Sequence, residues 1–305
     1  MRPDTKIKRA IASPVLVARK INKLYFAAVG QNDFNTNGVD IFEKEWDNLI
    51  ILDACRYDLF KQQTHISGNL EKEISRGSST TEFLAGNFAG RRLHDVVYVT
   101  ANPQFHRHQD TINCELHNVI NVWKDSGWDS ENETVLPETV TDQAVEAANE
   151  YSNKRLIIHY IQPHYPFLDS GTSFDKGQLD DPDDDSAFWR RIMTGELSVD
   201  IDHLWNLYES NLNKALDSTS NLLQELEGKT VITSDHGNMM GDRSFPIPIR
   251  EWGHPRGVHT PELVEVPWLD CGGKRREIVA EPPAGQTQES IDSVNDRLRN
   301  LGYVQ

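Results

Sequence analysis

The chain has 305 residues, a formal net charge of −16 and a hydrophobic content of 37%. That hydrophobic content is typical of a folded globular protein and excludes a disordered chain. The negative charge argues against non-specific nucleic-acid binding, because contacts to phosphate groups need a basic surface.

The first 30 residues are basic in an otherwise acidic chain. We predict a basic N-terminal helical segment over residues 1–30, packed on the surface of a single catalytic domain over residues 31–305. Peripheral contact with an anionic membrane surface is the alternative for this segment. Its basic residues are Arg2, Lys6, Lys8, Arg9, Arg19, Lys20 and Lys23, and the apolar residues that share one predicted face are Ile11, Val15, Ala18, Ile21, Tyr25 and Ala28.

Short apolar runs with helical patterns between them make up most of the remaining chain. Strands are predicted at residues 46–53, 95–100, 119–123, 154–161 and 229–234, and helices at residues 137–151 and 200–226. Such alternation predicts an α/β fold with a mostly parallel central sheet sandwiched by helices. In sheets of this kind ligands bind beyond the C-terminal ends of the strands.

Acidic residues and a histidine lie at two of these predicted strand ends. Asp53 ends the first strand, and Asp235 and His236 follow the last. Carboxylate and imidazole groups are ligands for divalent metals, so these three residues form a candidate metal site. A capping role for Asp53 and a plain turn at residues 235–236 are the structural alternatives.

A cluster of hydroxyl side chains stands at a predicted helix start, at residues 78–81. The N-terminal end of a helix attracts anions, and a hydroxyl bound to a metal can ionise and attack phosphorus or sulfur. A helix N-cap is the alternative role for any one of them.

Two histidines lie in proline-containing loops, His164 in QPHYPF and His254 in EWGHPRG. A histidine in such a loop can hold an anionic ester oxygen or protonate a leaving group. A buried, hydrogen-bonded histidine is the alternative reading for both. His159 alternates within a predicted strand and is interpreted as structural.

The ordered set of motifs resembles the alkaline phosphatase and sulfatase superfamily. The segments, which span roughly residues 46–270, are LDACRYD, RGSSTTEF, HYIQPHYPF, SDHG followed by GD, and EWGHP followed by VPWL. The resemblance implies that Asp53, Asp235 and His236 bind a metal.

The hydroxyl segment is similar to the threonine-nucleophile segment of lipoteichoic acid synthases. That similarity implies that Ser78 is both nucleophile and metal ligand, whereas a shift of one residue selects Ser79, and Thr80 is third. It also implies that His164 contacts the phosphate or sulfate group. His254 is implied to bind substrate or a metal, and Arg56 to assist in binding the anion. The Cys-x-Pro-Ser-Arg motif of formylglycine sulfatases is absent from the sequence.

The expected function is metal-dependent hydrolysis of a phosphate or sulfate ester through a Ser/Thr nucleophile and a covalent intermediate. The alternatives are a transferase of phospho-headgroups to a glycan or lipid, and a non-catalytic binding protein on the same fold. The expected cofactor is a divalent metal ion (Zn, Mn or Ca), and the expected partner is a small-molecule, glycan or lipid ester.

Three widely spaced cysteines show neither a disulfide framework nor a zinc pattern. No apolar run reaches the roughly 20 residues that a membrane span requires. These two observations predict a cytoplasmic protein, with membrane contact limited to the periphery.

Overall fold

A computed structural model of the chain describes residues 14–29, 33–168 and 187–283. The strands are β1 (Asn48–Leu52), β2 (Asn69–Ile74), β3 (Arg92–Thr100), β4 (Glu115–Asn121), β5 (Arg155–Tyr160), β6 (Thr230–Thr233), β7 (Met239–Arg243), β8 (Arg250–Gly253) and β9 (Glu265–Asp270). Seven of them form one sheet in the spatial order β2-β9-β6-β1-β5-β3-β4, and β7 and β8 form a separate hairpin.

The five strands predicted from the sequence form the parallel part of the sheet. Strands β6, β1, β5, β3 and β4 pair in parallel. Every residue of β1 and β6 is buried, which is why these strands read as unbroken apolar runs. Strands β9 and β2 extend the sheet in antiparallel orientation on the β6 side.

Helices cover both faces of this sheet. The helices are α1 (Pro14–Ala28), α2 (Tyr57–Gln63), α3 (Thr80–Phe88), α4 (Gln104–Arg107), α5 (Gln109–Ile112), α6 (Pro137–Glu150), α7 (Ala187–Thr194), α8 (Ile201–Glu225) and α9 (Pro261–Val264). Apolar residues of α2, α6, α7 and α8 join a core cluster on one face, and those of α3, α4 and α5 join a cluster on the other. The expected α/β fold with a sandwiched, mostly parallel sheet is therefore confirmed.

The register of the central strands sets the position of the candidate metal ligands. Ile51 of β1 is paired with Thr233 of β6, so Asp53 and Asp235 each lie two residues after the same residue pair. Ile51 is also paired with His159 of β5. The carboxyl ends of three adjacent strands thus bring two acids and an imidazole to one edge of the sheet.

The N-terminal segment packs against the β7–β8 hairpin through a face that the sequence did not indicate. The buried residues of α1 are Arg19, Asn22 and Phe26, whereas Ile21 and Tyr25 of the predicted apolar face are exposed. Residues 1–13 and 30 of the predicted segment lie outside the described residues, and the division at residue 30 stays a prediction.

Candidate metal centre and nucleophile

Asp53 and Asp235 lie side by side at the sheet edge and are fully buried. Oδ2 of Asp53 accepts a hydrogen bond from Nδ2 of Asn102 (2.6 Å). Oδ1 of Asp235 accepts from the backbone N–H groups of Ala54 (3.1 Å) and His236 (2.9 Å). Burial raises the pKa of Asp235, and nearby His159 opposes that rise. A positive partner would therefore stabilise this pair of carboxylates.

The turn after β1 holds a strained residue next to the site. Ala54 has a φ of 58°, in the left-handed region that non-glycine residues rarely occupy. Its N–H points at Asp235, and its carbonyl accepts a hydrogen bond from the Tyr208 hydroxyl of α8. Strain retained in this way is common at functional sites, where surrounding contacts enforce it.

The His236 imidazole faces both carboxylates through one nitrogen. Its Nε2 lies 3.6 Å from Oδ1 of Asp53 and 3.4 Å from Oδ2 of Asp235. Its Nδ1 is 2.7 Å from the carbonyl oxygen of Gly237 and donates to it, which leaves the lone pair of Nε2 directed at the acids. Burial lowers the pKa of His236 to about 4, so the ring is neutral at neutral pH, as a metal ligand must be.

Gly237 is required for this arrangement. A Cβ at this position would lie 2.1 Å from the carbonyl oxygen of Glu262, a distance that no side chain can tolerate. The glycine lets the chain after His236 pass close to α9.

His159 is a third group at the same centre, one that the sequence analysis interpreted as structural. Its Nε2 lies 3.6 Å from Oδ2 of Asp53 and 3.8 Å from Oδ2 of Asp235. Its Nδ1 is 2.6 Å from the Tyr98 hydroxyl, which fixes the orientation of the ring. His159 lies near the C-terminal end of the strand predicted at residues 154–161, and that position was the signal that could have indicated a role at the site.

These residues fit a divalent cation. One ligand atom each from Asp53, His159 and Asp235 lies within 4.8 Å of the others. Nε2 of His159 and Oδ2 of Asp235 are buried and, among the described residues, have no hydrogen-bond partner. Buried polar atoms of this kind are costly unless a partner satisfies them. Carboxylate oxygen and imidazole nitrogen together form a donor set that suits zinc or manganese.

Among the hydroxyl residues 78–81, Thr80 is the one whose hydroxyl lies beside His236 of this centre. It is the first residue of α3, and its Oγ1 lies 3.3 Å from Nε2 of His236 and 3.4 Å from Nδ2 of Asn102. The hydroxyl of Ser79 instead lies 3.2 Å from that of Thr81. Asn102 was not identified from the sequence, since an asparagine after a strand carries no distinctive signal.

The Ser78 hydroxyl makes a different set of contacts. Its Oγ donates to Oε2 of Glu82 (2.7 Å) and accepts from the N–H of Gly257 (3.0 Å), with the carbonyl of Pro255 at 3.2 Å. The same Glu82 oxygen accepts from Nε2 of His259 (3.2 Å). These bonds tie the start of α3 to the loop over residues 255–259. The nucleophile role assigned to Ser78 stays a prediction.

His164 and His254 meet beside the candidate metal ligands. Their Nε2 atoms are 2.8 Å apart, and the rings of His254 and His236 are 4.7 Å apart. Nδ1 of His164 donates to the carbonyl of Tyr165, while Nδ2 of Asn211 donates to the carbonyl of His164 (3.2 Å). Burial, followed by the neighbouring His254, lowers the pKa of His164, so it is neutral at neutral pH.

Arg56 is close to the site, but its guanidinium is bound to other acidic and carbonyl groups. Its guanidinium forms ion pairs with Asp58 (2.6 Å) and Asp242 (2.8 Å) and donates to the carbonyl of Asn238 (3.3 Å). These contacts link the turn after β1 to β7. The anion-binding role expected of Arg56 stays a prediction.

No protein-family model and no curated protein matches this sequence. Solved structures with a similar fold include the lipooligosaccharide phosphoethanolamine transferase A of Neisseria meningitidis, with 13% identity and a TM-score of 0.45 over 73% of this chain. The match spans 47% of that full-length integral membrane protein. The periplasmic domain of a phosphoethanolamine transferase from Campylobacter jejuni matches at 15% identity and a TM-score of 0.45, over 79% of this chain and 81% of that domain.

A 2-O GAG sulfatase matches at 13% identity and a TM-score of 0.39, over 75% of this chain and 65% of the sulfatase. These solved structures are of transferases and a sulfatase, the kinds of protein whose superfamily the motifs resemble, and at such identities the likeness concerns the fold alone.

The expected cytoplasmic location is wrong on these comparisons, because the similar domains from Campylobacter jejuni and Escherichia coli are periplasmic. The expectation rested on the cysteines and on the lack of a long apolar run. The cysteines do not discriminate between compartments, because a buried thiol such as that of Cys55 is inert in any of them. No helix among the described residues has the length and apolarity to cross a bilayer.

Proposed function

We propose that this protein is a metal-dependent hydrolase of a phosphate or sulfate ester and that Thr80 is its nucleophile. The observation that carries the proposal is the position of the Thr80 hydroxyl, 3.3 Å from Nε2 of His236, beside the buried carboxylates of Asp53 and Asp235. A hydroxyl at a helix start beside a set of metal ligands is the arrangement that nucleophilic ester cleavage requires.

Asp53, Asp235 and His236 would hold a divalent ion, with His159 or Thr80 as a further ligand. Zinc and manganese fit this donor set better than calcium, which prefers oxygen ligands alone. Such an ion lowers the pKa of a hydroxyl group and offsets charge on the group being transferred.

The reaction proceeds in two displacements. In the first, Oγ1 of Thr80 bonds to phosphorus or sulfur while the bond to the leaving-group oxygen breaks. The threonine proton passes to solvent, and solvent returns a proton to the leaving oxygen, which departs as an alcohol. In the second, water attacks the same phosphorus or sulfur and Thr80 regains its proton. The sum is ester plus water giving alcohol plus phosphate or sulfate.

His164 and His254 would bind the ester oxygens and donate a hydrogen bond to them. Because Nδ1 of His164 donates to the Tyr165 carbonyl, its neutral Nε2 accepts, and Nε2–H of His254 donates to it. An incoming anionic oxygen can replace His164 as the acceptor for this proton. The histidine pair therefore provides a hydrogen-bond donor beside the nucleophile.

Transfer of the phospho-group to a glycan or lipid alcohol uses the same first displacement, with the acceptor in place of water. The test is an activity panel of p-nitrophenyl phosphomonoester, phosphodiester and sulfate substrates, each assayed with zinc, manganese or calcium, with and without an added alcohol. Release of phosphate or sulfate as the main product supports hydrolysis, whereas alcohol-bound product in excess supports the transferase. A protein that binds no divalent ion and turns over none of these esters would be a non-catalytic binding protein, and the proposal would be rejected.

A further inference from the structure

The face of α1 that packs on the domain carries buried polar residues as well as apolar ones. Toward the domain it presents Arg19, whose Nε lies 2.9 Å from Oε1 of the buried Glu251. Asn22 exchanges two hydrogen bonds of 2.9 Å with the backbone of Ile247. Phe26 completes this face by joining a small core with Met239 and Val258. Val15 and Leu16 also pack against the main core. Polar and apolar contacts together thus fix the orientation of the helix on the domain.

The opposite face of α1 is apolar and exposed to solvent. Leu24 is 59% exposed and Ile21 is 46% exposed. The patch extends beyond the helix, because the ring of Phe245, which is 54% exposed, lies 5.3 Å from that of Tyr25. Of the seven large apolar side chains that are exposed in the described part of the chain, six belong to this outward patch: Val17, Ile21, Leu24, Tyr25, Val29 and Phe245.

Such a concentration is unusual for a surface that faces only water. Single exposed apolar residues are normal, but contiguous patches mark sites that bind a partner or a membrane. The inward contacts of Arg19 and Asn22 prevent the helix from rotating to bury this face without breaking a buried ion pair.

The charge of the segment distinguishes between these two partners. Apart from Arg19, which is paired with Glu251, residues 1–30 contain six basic side chains and one acidic side chain, in a chain whose net charge is −16. The exposed Lys20 lies on the helix between Val17 and Ile21. Apolar side chains next to basic ones, on a protein that is otherwise strongly acidic, are complementary to a surface with an apolar interior and anionic headgroups.

We propose that the outward patch docks this protein onto an anionic phospholipid bilayer, with α1 lying in the plane of the interface. The apolar side chains enter the boundary between headgroups and acyl chains, and the basic residues contact the lipid phosphates. This orientation keeps the acidic remainder of the chain away from the negative surface. The inference is independent of the reaction carried out at Thr80.

The test is vesicle flotation of the 305-residue chain with two lipid compositions, phosphatidylcholine alone and an equal mixture with phosphatidylglycerol. Wild type is compared with the double variant Ile21→Glu/Leu24→Glu. The matched control is Val279→Glu, which adds a charge at the seventh exposed apolar residue, outside the patch. Turnover of a soluble p-nitrophenyl ester by the same preparations shows whether each variant is folded and active.

Wild type and Val279→Glu should float with the anionic vesicles, with binding that weakens as salt rises. The double variant should lose at least about tenfold in partitioning, since two large apolar groups no longer enter the lipid. Its ester turnover should not change. The proposal is overturned if wild type does not float with anionic vesicles, or if the double variant floats as well as Val279→Glu. It is also overturned if wild type is a dimer without lipid and the double variant is a monomer, since the patch would then bind a second copy of the chain.

Discussion

The Oγ1 of Thr80 lies 3.3 Å from the Nε2 of His236, although 155 residues separate the two in the chain. Thr80 begins α3, and His236 follows β6, so one comes from a helix start and the other from a strand end. Two residues earlier, the hydroxyl of Ser78 is hydrogen-bonded to Glu82. Neighbouring hydroxyl residues in one segment therefore have different surroundings, and their substitutions should have different consequences.

Replacing Thr80 should remove the nucleophile while leaving the fold intact. We expect Thr80→Ala to lower kcat at least about 1,000-fold. Thr80→Ser retains a hydroxyl and should recover a measurable part of the activity. Steady-state kinetics on the best ester of the panel, with circular dichroism as a check of folding, provides the measurement.

Ser78→Ala is the matched control for that substitution. It removes the bond to Glu82 and should cost about 1–3 kcal/mol of stability, because a buried acceptor loses one partner. Its kcat should fall far less than that of Thr80→Ala. If Ser78→Ala is inactive and Thr80→Ala is active, Ser78 rather than Thr80 would be the nucleophile.

Metal binding should be visible as stability as well as activity. Without an ion the carboxylates of Asp53 and Asp235 face each other in a buried site. Protein from which a chelator has removed the metal should therefore unfold at a lower temperature. At about 100 times the dissociation constant, an ion that binds only the folded state adds about 2.7 kcal/mol. Scanning calorimetry of chelated protein, before and after zinc or manganese is restored, measures this difference.

Asp235→Asn should abolish most of the metal-dependent increase in unfolding temperature. Asp270→Asn changes an acid of β9 that is hydrogen-bonded to Gly272 and paired with Lys229, outside the candidate metal centre, and should retain the full increase. An equal response of the two variants to metal would mean that the ion binds elsewhere.

The parallel strands and the acidic strand ends could be predicted because their signals are local. Buried strands appear as short apolar runs, and Asp53 and Asp235 directly follow two of them. The antiparallel pair β2–β9 was not predicted. Strand β2 has no fully buried residue, and its apolar positions are separated by charged ones. The hairpin β7–β8 contains glycine and charged residues, which are poor strand signals.

The composition of the candidate site was only partly predictable, because much of it depends on distances that the sequence does not contain. Asn102 and His159 reach Asp53 from β3 and β5, and the register of three strands decides this contact. The choice between Ser78 and Thr80 depends on where α3 begins. Thr80, the first residue of α3, faces the candidate metal ligands, whereas Ser78, two residues earlier, faces Glu82.

Glu82 should act as a positioning residue for Thr80. Burial alone would raise the pKa of Glu82, but His259 and Ser78 outweigh it and hold the pKa below its usual value. The carboxylate is thus charged and paired. We expect Glu82→Gln to destabilise the fold by about 3 kcal/mol, since it leaves His259 without its acid.

The same substitution should lower kcat more than it raises KM, because the start of α3 would lose its anchor to the loop over residues 255–259 while the histidine pair remains. The control is Glu146→Gln on the exposed face of α6, which should change stability by less than about 0.5 kcal/mol. Urea denaturation and steady-state kinetics on both variants test this. A Glu82→Gln protein that is less stable yet has wild-type kcat would show that the residue is structural alone.

Asp47, at the opposite end of β1 from the metal centre, should make stability depend on pH. Burial by itself would raise the pKa of this fully buried carboxyl, but the backbone N–H groups of Lys229 and Arg276 and the guanidinium of Arg275 hold the pKa below its ordinary value of 3.8. A depressed folded-state pKa gives stability that is fully present above the unfolded-state pKa and is lost as the pH falls through the folded-state value.

We therefore expect Asp47→Asn to lower the free energy of unfolding by about 2–3 kcal/mol at neutral pH, because the substitution removes the hydrogen bonds to a charged carboxylate. The difference between the variant and wild type should shrink below a pH of about 4. Urea denaturation of both proteins over a pH series measures this difference, and a gap that stays constant down to the lowest pH at which both fold would exclude a charged Asp47 as its source.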